Sequence, residues 1–143
     1  MNHPRTEKPC SVARMFGCMV YDAMVLAAIL FAVTTITLAM RQGAAIAPGN
    51  TAYQVFLILC AWLYFAYSWR LGGQTLGMRA WQVHIRSNQE QVTWLQSLLR
   101  FLTAALSLAC LGSGYFWSWL HPAGMTWHDL ASGTWLVCTK KDN

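Results

Sequence analysis

Residues 69–81 read W-R-L-G-G-Q-T-L-G-M-R-A-W and separate two apolar segments from a third. A charged, glycine-rich run of this kind cannot lie in the hydrocarbon of a membrane, because its backbone polar groups would lack hydrogen-bond partners there. Its glycines permit tight turns, and its arginines are suited to a membrane surface. The stretch therefore predicts a chain whose apolar segments enter a membrane and are joined by a loop at the membrane face.

The composition is that of a membrane protein. Of 143 residues, 56% are hydrophobic and 10% are charged, whereas about a quarter of the residues of a soluble domain are charged. The formal net charge of +5 comes from basic residues that flank the apolar segments, which favours membrane orientation over nucleic-acid binding. We expect a polar tail over residues 1–13, one membrane domain over residues 14–139, and no nucleic-acid partner.

The apolar segments predict the fold class. Crossing a bilayer takes about 20 residues, and the segments cover approximately residues 16–40, 51–69 and 97–120. We therefore expect an all-α integral membrane protein with three hydrophobic spans. The third contains the break Gly112–Gly114, so two arrangements stay open: a single crossing, or a broken or re-entrant helix that returns to the side it entered from.

Short elements outside the spans predict a small cap. Apolar and polar residues alternate over Trp81–Ile85, which is typical of a strand with one apolar face. A capping box is expected at Thr93–Gln96 and another at Thr126–Asp129, and a second strand is expected over Thr134–Thr139. If the two strands pair, they form a strand-and-turn cap at one membrane face.

The basic residues predict the orientation, since cytoplasmic segments of membrane proteins carry an excess of Lys and Arg. The N-terminal region and the central loop carry most of the arginines, and Arg41 lies on the opposite side under either arrangement of the third span. We therefore expect a multi-pass protein of the inner (plasma) membrane. Its N-terminus and its cap are expected to be cytoplasmic.

Three blocks of the sequence resemble one family. They are R-M-F-G-C-M-V-Y-D over residues 14–22, G-G-Q-T-L-G-M-R-A-W over residues 72–81, and T-W-H-D-L-A-S-G-T over residues 126–134. Together they are similar to the first-helix motif, the interhelical loop and the C-terminal motif of the RDD family of small bacterial membrane proteins. The family is named for one arginine and two aspartates, and the resemblance implies that these are Arg14, Asp22 and Asp129. It also implies a membrane protein for which transport has been suggested.

Asp22 is the most informative charged residue. It lies eight residues after Arg14, about 12 Å along a helix, inside an apolar segment. A carboxylate in the hydrocarbon costs about 2.5–3.5 kcal/mol, so Asp22 must be neutral, paired or directed into a polar cavity. Two interpretations stay open, a proton or cation site and a buried structural group. Its candidate partners are Tyr21, the threonines, and the arginines Arg14, Arg79 and Arg100.

The other candidate residues flank the membrane face. Gln74 and Arg79 are candidates for a ligand site, since arginine binds carboxylates and phosphates through paired hydrogen bonds; lipid headgroups are the alternative partner of Arg79. His128 and Asp129 are adjacent, but neighbouring residues of a helical turn point in different directions. Helix capping by Asp129 is therefore favoured over a catalytic pair. The glycines expected to shape the backbone are Gly72, Gly73, Gly77 and Gly133.

The sequence carries no enzyme motif. The five cysteines form no C-x-x-C pair, the four histidines are scattered, and no serine or cysteine nucleophile motif is present. We therefore expect no catalytic site, metal site or cofactor. Two functions stay open for a chain that lies in the lipid bilayer. One is transport of an unknown ligand, with Asp22 as a proton or cation site. The other is a structural or accessory role in which the chain packs against other membrane proteins or copies of itself.

Overall fold

The computed structural model describes residues 10–87, 91–110 and 126–138, and helices and strands are numbered within these ranges. Most of the predicted polar tail, residues 1–9, lies outside the described residues. So do residues 111–120 at the end of the third predicted span, including Gly112–Gly114.

Two long helices form a hairpin. α1 spans Val12–Met40 and α2 spans Thr51–Gly72, and both are long and apolar enough to cross a membrane. Asn50 caps α2, because its side chain accepts a hydrogen bond from the N–H of Tyr53. The hydroxyl of Tyr53 donates to Oγ1 of Thr34 at 2.7 Å, which joins the two helices near their connection. The first two predicted spans are therefore present as helices.

The central loop folds back on the ends of both helices. Its short helix α3 spans Leu76–Ala80, and Thr75 caps it by accepting a hydrogen bond from the first turn. Strand β1 follows at Val83–Ser87. The alternation in the sequence predicts this strand two residues too early. The reason is that Trp81 ends α3 and Gln82 then takes a left-handed conformation with a φ of 56°.

The last described elements are two helices and a strand. α4 spans Trp94–Ala109, α5 spans Trp127–Ser132, and β2 spans Thr134–Cys138. Both helices begin with a capping box, at Thr93 and at Thr126, which confirms that prediction. α4 has 16 residues, fewer than the roughly 20 that cross a bilayer. Within the described residues the structure thus contains a third apolar helix but not a third full span.

α4 turns its polar face inward. Its buried residues are Ser97, Arg100 and Ser107, whereas its leucines face outward, with Leu95 66% and Leu106 61% exposed. A surface helix of a soluble protein has the opposite arrangement, with its apolar stripe against the core. Polar residues of membrane helices face the protein interior instead. α4 therefore has its polar face against the protein and its apolar face outward, the arrangement found in helices of membrane proteins.

β1 and β2 form a two-stranded antiparallel sheet, with Val83 opposite Cys138 and Ser87 opposite Thr134. The predicted pairing of the two strands is confirmed. Because the strands pair, both ends of the segment between them are held at the same face of the molecule. The course of the third apolar region after Cys110 lies outside the described residues, so both predicted arrangements stay open.

The apolar core lies where the helix ends meet the sheet. Its buried members are Cys10, Met15, Cys18, Trp69, Met78, Val83, Ile85 and Val92. Further along the hairpin, large side chains such as Phe31, 75% exposed, point outward. The core therefore sits at the cap end of the hairpin, where it positions the polar groups described next.

Candidate functional site

The first polar cluster is built around Asp22, which is 6% exposed. Its Oδ1 accepts hydrogen bonds from the hydroxyl of Tyr64 at 3.0 Å and from the backbone N–H of Gly77 at 2.9 Å. Its Oδ2 accepts one from the hydroxyl of Thr75 at 2.5 Å. These four residues, the Asp22 cluster, join α1, α2 and the start of α3. All three donors are neutral, so within the part of the chain that the structure describes the carboxylate is held by hydrogen bonds and not by a cation.

The close approach of α3 to α1 depends on Gly77. A Cβ at this position would lie 2.8 Å from Cγ of Asp22 and even closer to the carbonyl oxygen of Cys18. The carbonyl oxygen of Cys18 belongs to the backbone of α1 and cannot move without shifting the helix. At Gly17 a Cβ would likewise lie 2.9 Å from Cδ2 of Trp81. The two glycines therefore allow the central loop to lie directly against the first helix.

The second polar cluster is built around a buried ion pair. Nη1 of Arg100 in α4 lies 2.6 Å from Oδ1 of Asp129 in α5, and the two side chains are 4% and 2% exposed. Nη1 also donates to Oγ1 of Thr134 at 2.7 Å. Oδ2 of Asp129 accepts from the N–H and the hydroxyl of Thr126, at 3.0 and 2.6 Å. Arg100, Thr126, Asp129 and Thr134 form the Asp129 cluster.

Arg100 is also packed against an aromatic ring. Its Cζ lies 5.5 Å from the centre of the Trp69 ring, a distance typical of a cation–π interaction. Trp69 is buried in the last part of α2. The Asp129 cluster therefore connects α4, α5 and β2 to the end of the second long helix.

Asp22 and Asp129 lie in separate clusters with different partners. Arg100 pairs with Asp129, while the partners of Asp22 are Tyr64, Thr75 and the backbone of Gly77. Among the described residues, no arginine forms an ion pair with Asp22. The ion-pair interpretation of Asp22 is therefore wrong, and the hydrogen-bonded alternative holds, with a threonine of the central loop as one donor.

The remaining predicted site residues lie outside both clusters. The Nε2 group of Gln74 donates to the carbonyl oxygen of Val83 at 2.8 Å, so its amide supports the start of β1. Arg14 and Arg79 are exposed. His128 lies in α5, and its side chain is outside the described residues. A ligand site at Gln74 and Arg79 stays a prediction.

The predicted backbone glycines fall into different positions. Gly73 and Gly133 end α2 and α5 in the left-handed region, with φ of 61° and 63°, where a side chain would be strained. Gly77 is required by the close approach to α1. At Gly72 a Cβ would meet no atom within 4 Å, so the structure shows no comparable constraint there.

Tyr64 is not among the partners predicted for Asp22, and Thr75 is included only among the threonines in general. Arg100 is not predicted as the partner of Asp129. A signal existed for Arg100, because a buried cation needs an anion and only three acidic residues lie within residues 14–139. Thr75 stands before L-G-M-R-A and could have been assigned as a helix cap. Nothing in the sequence distinguishes Tyr64 from the other tyrosines of the second span.

The fold and the two clusters define the class first: this is a small α-helical membrane protein with a two-stranded cap at one end of its hairpin. The RDD family model matches residues 11–133, which is most of the chain. The chain therefore belongs to the RDD family, as the three sequence blocks predict. No curated protein sequence and no solved structure matches it.

Proposed function

We propose that the chain is a non-catalytic structural or accessory protein of the inner membrane that packs against partner membrane proteins. The observation that supports this proposal is that both described carboxylates are engaged internally. Asp22 accepts three hydrogen bonds from the protein, and Asp129 is paired with Arg100. A carboxylate has about four acceptor positions, so fixed donors occupy most of the positions that a ligand would need.

The outer surface is consistent with this role. The exposed side chains of the hairpin are largely apolar, and Phe31 and Ile58 are 75% and 56% exposed. α4 adds the outward leucines described above. Such a surface is covered either by lipid or by helices of other membrane proteins. Because the two clusters fix the cap to the helix ends, the chain can present this surface as a rigid unit.

One cavity of the described structure is remote from both clusters. A cavity of about 480 Å³ lies at the opposite end of the hairpin, where Thr34, Leu38, Ile46 and Tyr53 line it. Thr34 is about 18 Å beyond Asp22 along α1. The lining contains no acidic or basic residue. This cavity therefore does not extend the charged motif into a ligand-binding site.

The proposed orientation places the cap in the cytoplasm. Arg14, Arg79 and Arg86 lie at the cap end, on α1, α3 and β1, whereas Arg41 ends α1 at the other end. This asymmetry supports the proposal through the positive-inside tendency. Gln82→Cys and Ala45→Cys, in a chain without other cysteines, test it in intact cells. A membrane-impermeant maleimide should label Ala45→Cys and not Gln82→Cys. Labelling of Gln82→Cys alone would show that the cap faces the outside of the cell.

The accessory role is tested by photo-crosslinking in cells. A photoreactive amino acid at Leu106, on the outward face of α4, should give discrete protein adducts. The same residue at exposed Gln82 in the cap controls for random collisions. The photoreactive residue is also placed at Phe31 and Ile58, on the outward faces of the two long helices. If all three positions give adducts with lipid alone, the accessory role is contradicted.

Transport is the second candidate function, and one observation favours it. The three donors to Asp22 are all neutral, so no described residue supplies a counter-charge to the carboxylate, and a proton or monovalent cation can supply one. A single chain encloses little volume, so a carrier would require several copies. This proposal therefore also implies a homo-oligomer.

Flux measurements separate the two candidates. The purified protein is reconstituted in liposomes, and proton, Na⁺ and K⁺ fluxes are compared with those of empty liposomes and of the Asp22→Asn variant. The accessory role predicts equal background rates in all three. Flux by the wild type that disappears in an Asp22→Asn oligomer of normal size would establish transport in its place.

A further inference from the structure

The two ends of the described chain are joined covalently. Cys10 lies just before α1, and Cys138 is the last residue of β2. The structure connects them by a disulfide across a separation of 128 residues, with their Cα atoms 5.1 Å apart. That Cα spacing is typical of disulfides in proteins. The sequence shows no motif for this pair, because Cys10 precedes α1 and Cys138 ends β2, and the two segments meet only in the folded chain.

The two halves of the bridge differ in accessibility. Cys10 is 7% exposed and belongs to the apolar core, whereas Cys138 is only partly buried and packs at the edge of that core. Of the two cysteines, Cys138 is therefore the more exposed half of the bridge. If Cys138 is attacked, Sγ of Cys10 is the leaving group, and it stays buried and close to Cys138.

We propose that Cys10 and Cys138 form a reversible redox clasp that fastens the segment before α1 to the end of β2. In the opening reaction, the thiolate of a glutathione-type thiol attacks Sγ of Cys138. The S–S bond breaks, and Cys10 leaves as a thiolate that takes up a proton. A second thiolate then attacks the external sulfur of the mixed disulfide, which releases Cys138 as a thiol. The protein gains two electrons and two protons, and two external thiols become one disulfide.

The proposed location of the cap explains why such a clasp would respond to redox conditions. Thiol pools keep most cysteines of cytoplasmic proteins reduced, and disulfides that form there are mainly transient. A clasp in the cytoplasm is therefore open under reducing conditions and closes under oxidising ones. The clasp does not depend on whether the chain is an accessory protein or a transporter.

Opening the clasp affects a defined part of the fold. β2 carries Thr134, which accepts a hydrogen bond from Arg100, and its far end carries Cys138 opposite Val83. When the disulfide is absent, the described contacts that hold the far end of β2 are its hydrogen bonds to β1 and the packing of Leu136 and Val137 against the core. We therefore expect the end of β2 to become the least protected part of the cap.

The test uses the full chain in nanodiscs, with Cys18, Cys60 and Cys110 changed to serine so that one pair titrates. The protein is equilibrated in mixtures of reduced and oxidised glutathione, and its thiols are counted by alkylation and mass spectrometry. We expect Cys10 and Cys138 to convert together in one two-electron transition. Amide hydrogen exchange at the end of β2 should become about tenfold faster or more on reduction.

Two further measurements keep the result decisive. Cys10→Ser should show the faster β2 exchange under both conditions. In wild-type protein, which retains all five cysteines, a non-reducing digest should yield the Cys10–Cys138 peptide pair after oxidation. Free thiols at both positions in oxidised glutathione, a bridge that resists reduced glutathione, or unchanged β2 exchange after reduction would each overturn the proposal.

Discussion

Asp22 and Asp129 are the two described carboxylates, and different partners hold them at similar depth, with 6% and 2% exposure. Asp129 faces the guanidinium of Arg100, whereas Asp22 accepts from two hydroxyls and one backbone N–H. When an ion pair loses one member, a buried charge stays behind without compensation. When a hydrogen-bonded carboxylate loses one donor, the other donors remain. The two clusters should therefore respond very differently to similar substitutions.

The largest effect is expected for Asp129→Asn. The substitution keeps the shape of the side chain but leaves the Arg100 cation buried, which costs about 3–5 kcal/mol. The measurement is the free energy of unfolding in detergent micelles by denaturant titration. Arg100→Met combined with Asp129→Asn removes both charges and should recover part of the loss. An equal loss for Asp129→Asn and Asp22→Asn would break the comparison between the clusters.

Gly77→Ala should lower the free energy of unfolding by about 2–3 kcal/mol, because the added Cβ would clash with the backbone of α1 and neither helix can move without losing contacts. Gly72→Ala is the matched control, since its Cβ meets no atom within 4 Å. The same unfolding measurement on both variants separates packing from a general loss of glycine flexibility. Equal stability of the two variants would show that α3 does not require its close approach to α1.

Asp22→Asn should lower the free energy of unfolding by about 1–2 kcal/mol, because one of the buried hydrogen bonds loses a matching partner. The remaining oxygen can still accept from Tyr64 and Gly77, and the hydroxyl of Thr75 can turn to accept from the new amide. This variant isolates the carboxylate charge with little change in shape. A loss as large as that of Asp129→Asn would indicate that Asp22 compensates a cation after all.

Tyr64→Phe is expected to have the smallest effect, about 0.5–1.5 kcal/mol, because it removes one of three donors to Asp22. Tyr67→Phe serves as the control, since Tyr67 lies one turn further along α2 and is 64% exposed. Thermal unfolding of the two variants in the same detergent resolves the difference. Indistinguishable midpoints would show that Thr75 and Gly77 hold Asp22 without help from α2.

The features that the sequence predicts correctly are local. The capping boxes at Thr93 and Thr126 depend on residues three positions apart, and the apolar lengths of the first two spans identify helices directly. β1 is displaced by two residues because the left-handed Gln82 is not visible in an alternating pattern. Local signals therefore give the elements, and they miss boundaries that depend on backbone conformation.

The long-range partners could not be predicted in the same way. Burial of Asp22 follows from its position in an apolar helix, but Thr75 and Gly77 are 53 and 55 residues away. The bridge from Cys10 to Cys138 depends on strand register in the folded cap. These contacts follow from how α3 and β2 pack, which the sequence of any one segment does not contain.

The separation of 29 positions between Arg100 and Asp129 has a consequence for biosynthesis. Ribosomes release α4 before α5, so the cation of Arg100 meets the bilayer before its anion has been made. An unpaired arginine at the centre of a membrane helix costs about 2.5–3.5 kcal/mol, so we expect nascent α4 to remain at the membrane surface until Asp129 emerges. In ribosome-bound chains that carry a C-terminal linker long enough to clear the exit tunnel, a cysteine at Thr103 should stay open to aqueous labelling when the native sequence ends just before Asp129. It should be protected when the native sequence extends past Thr134. Insertion of this region would then depend on a residue synthesised after the helix that it stabilises.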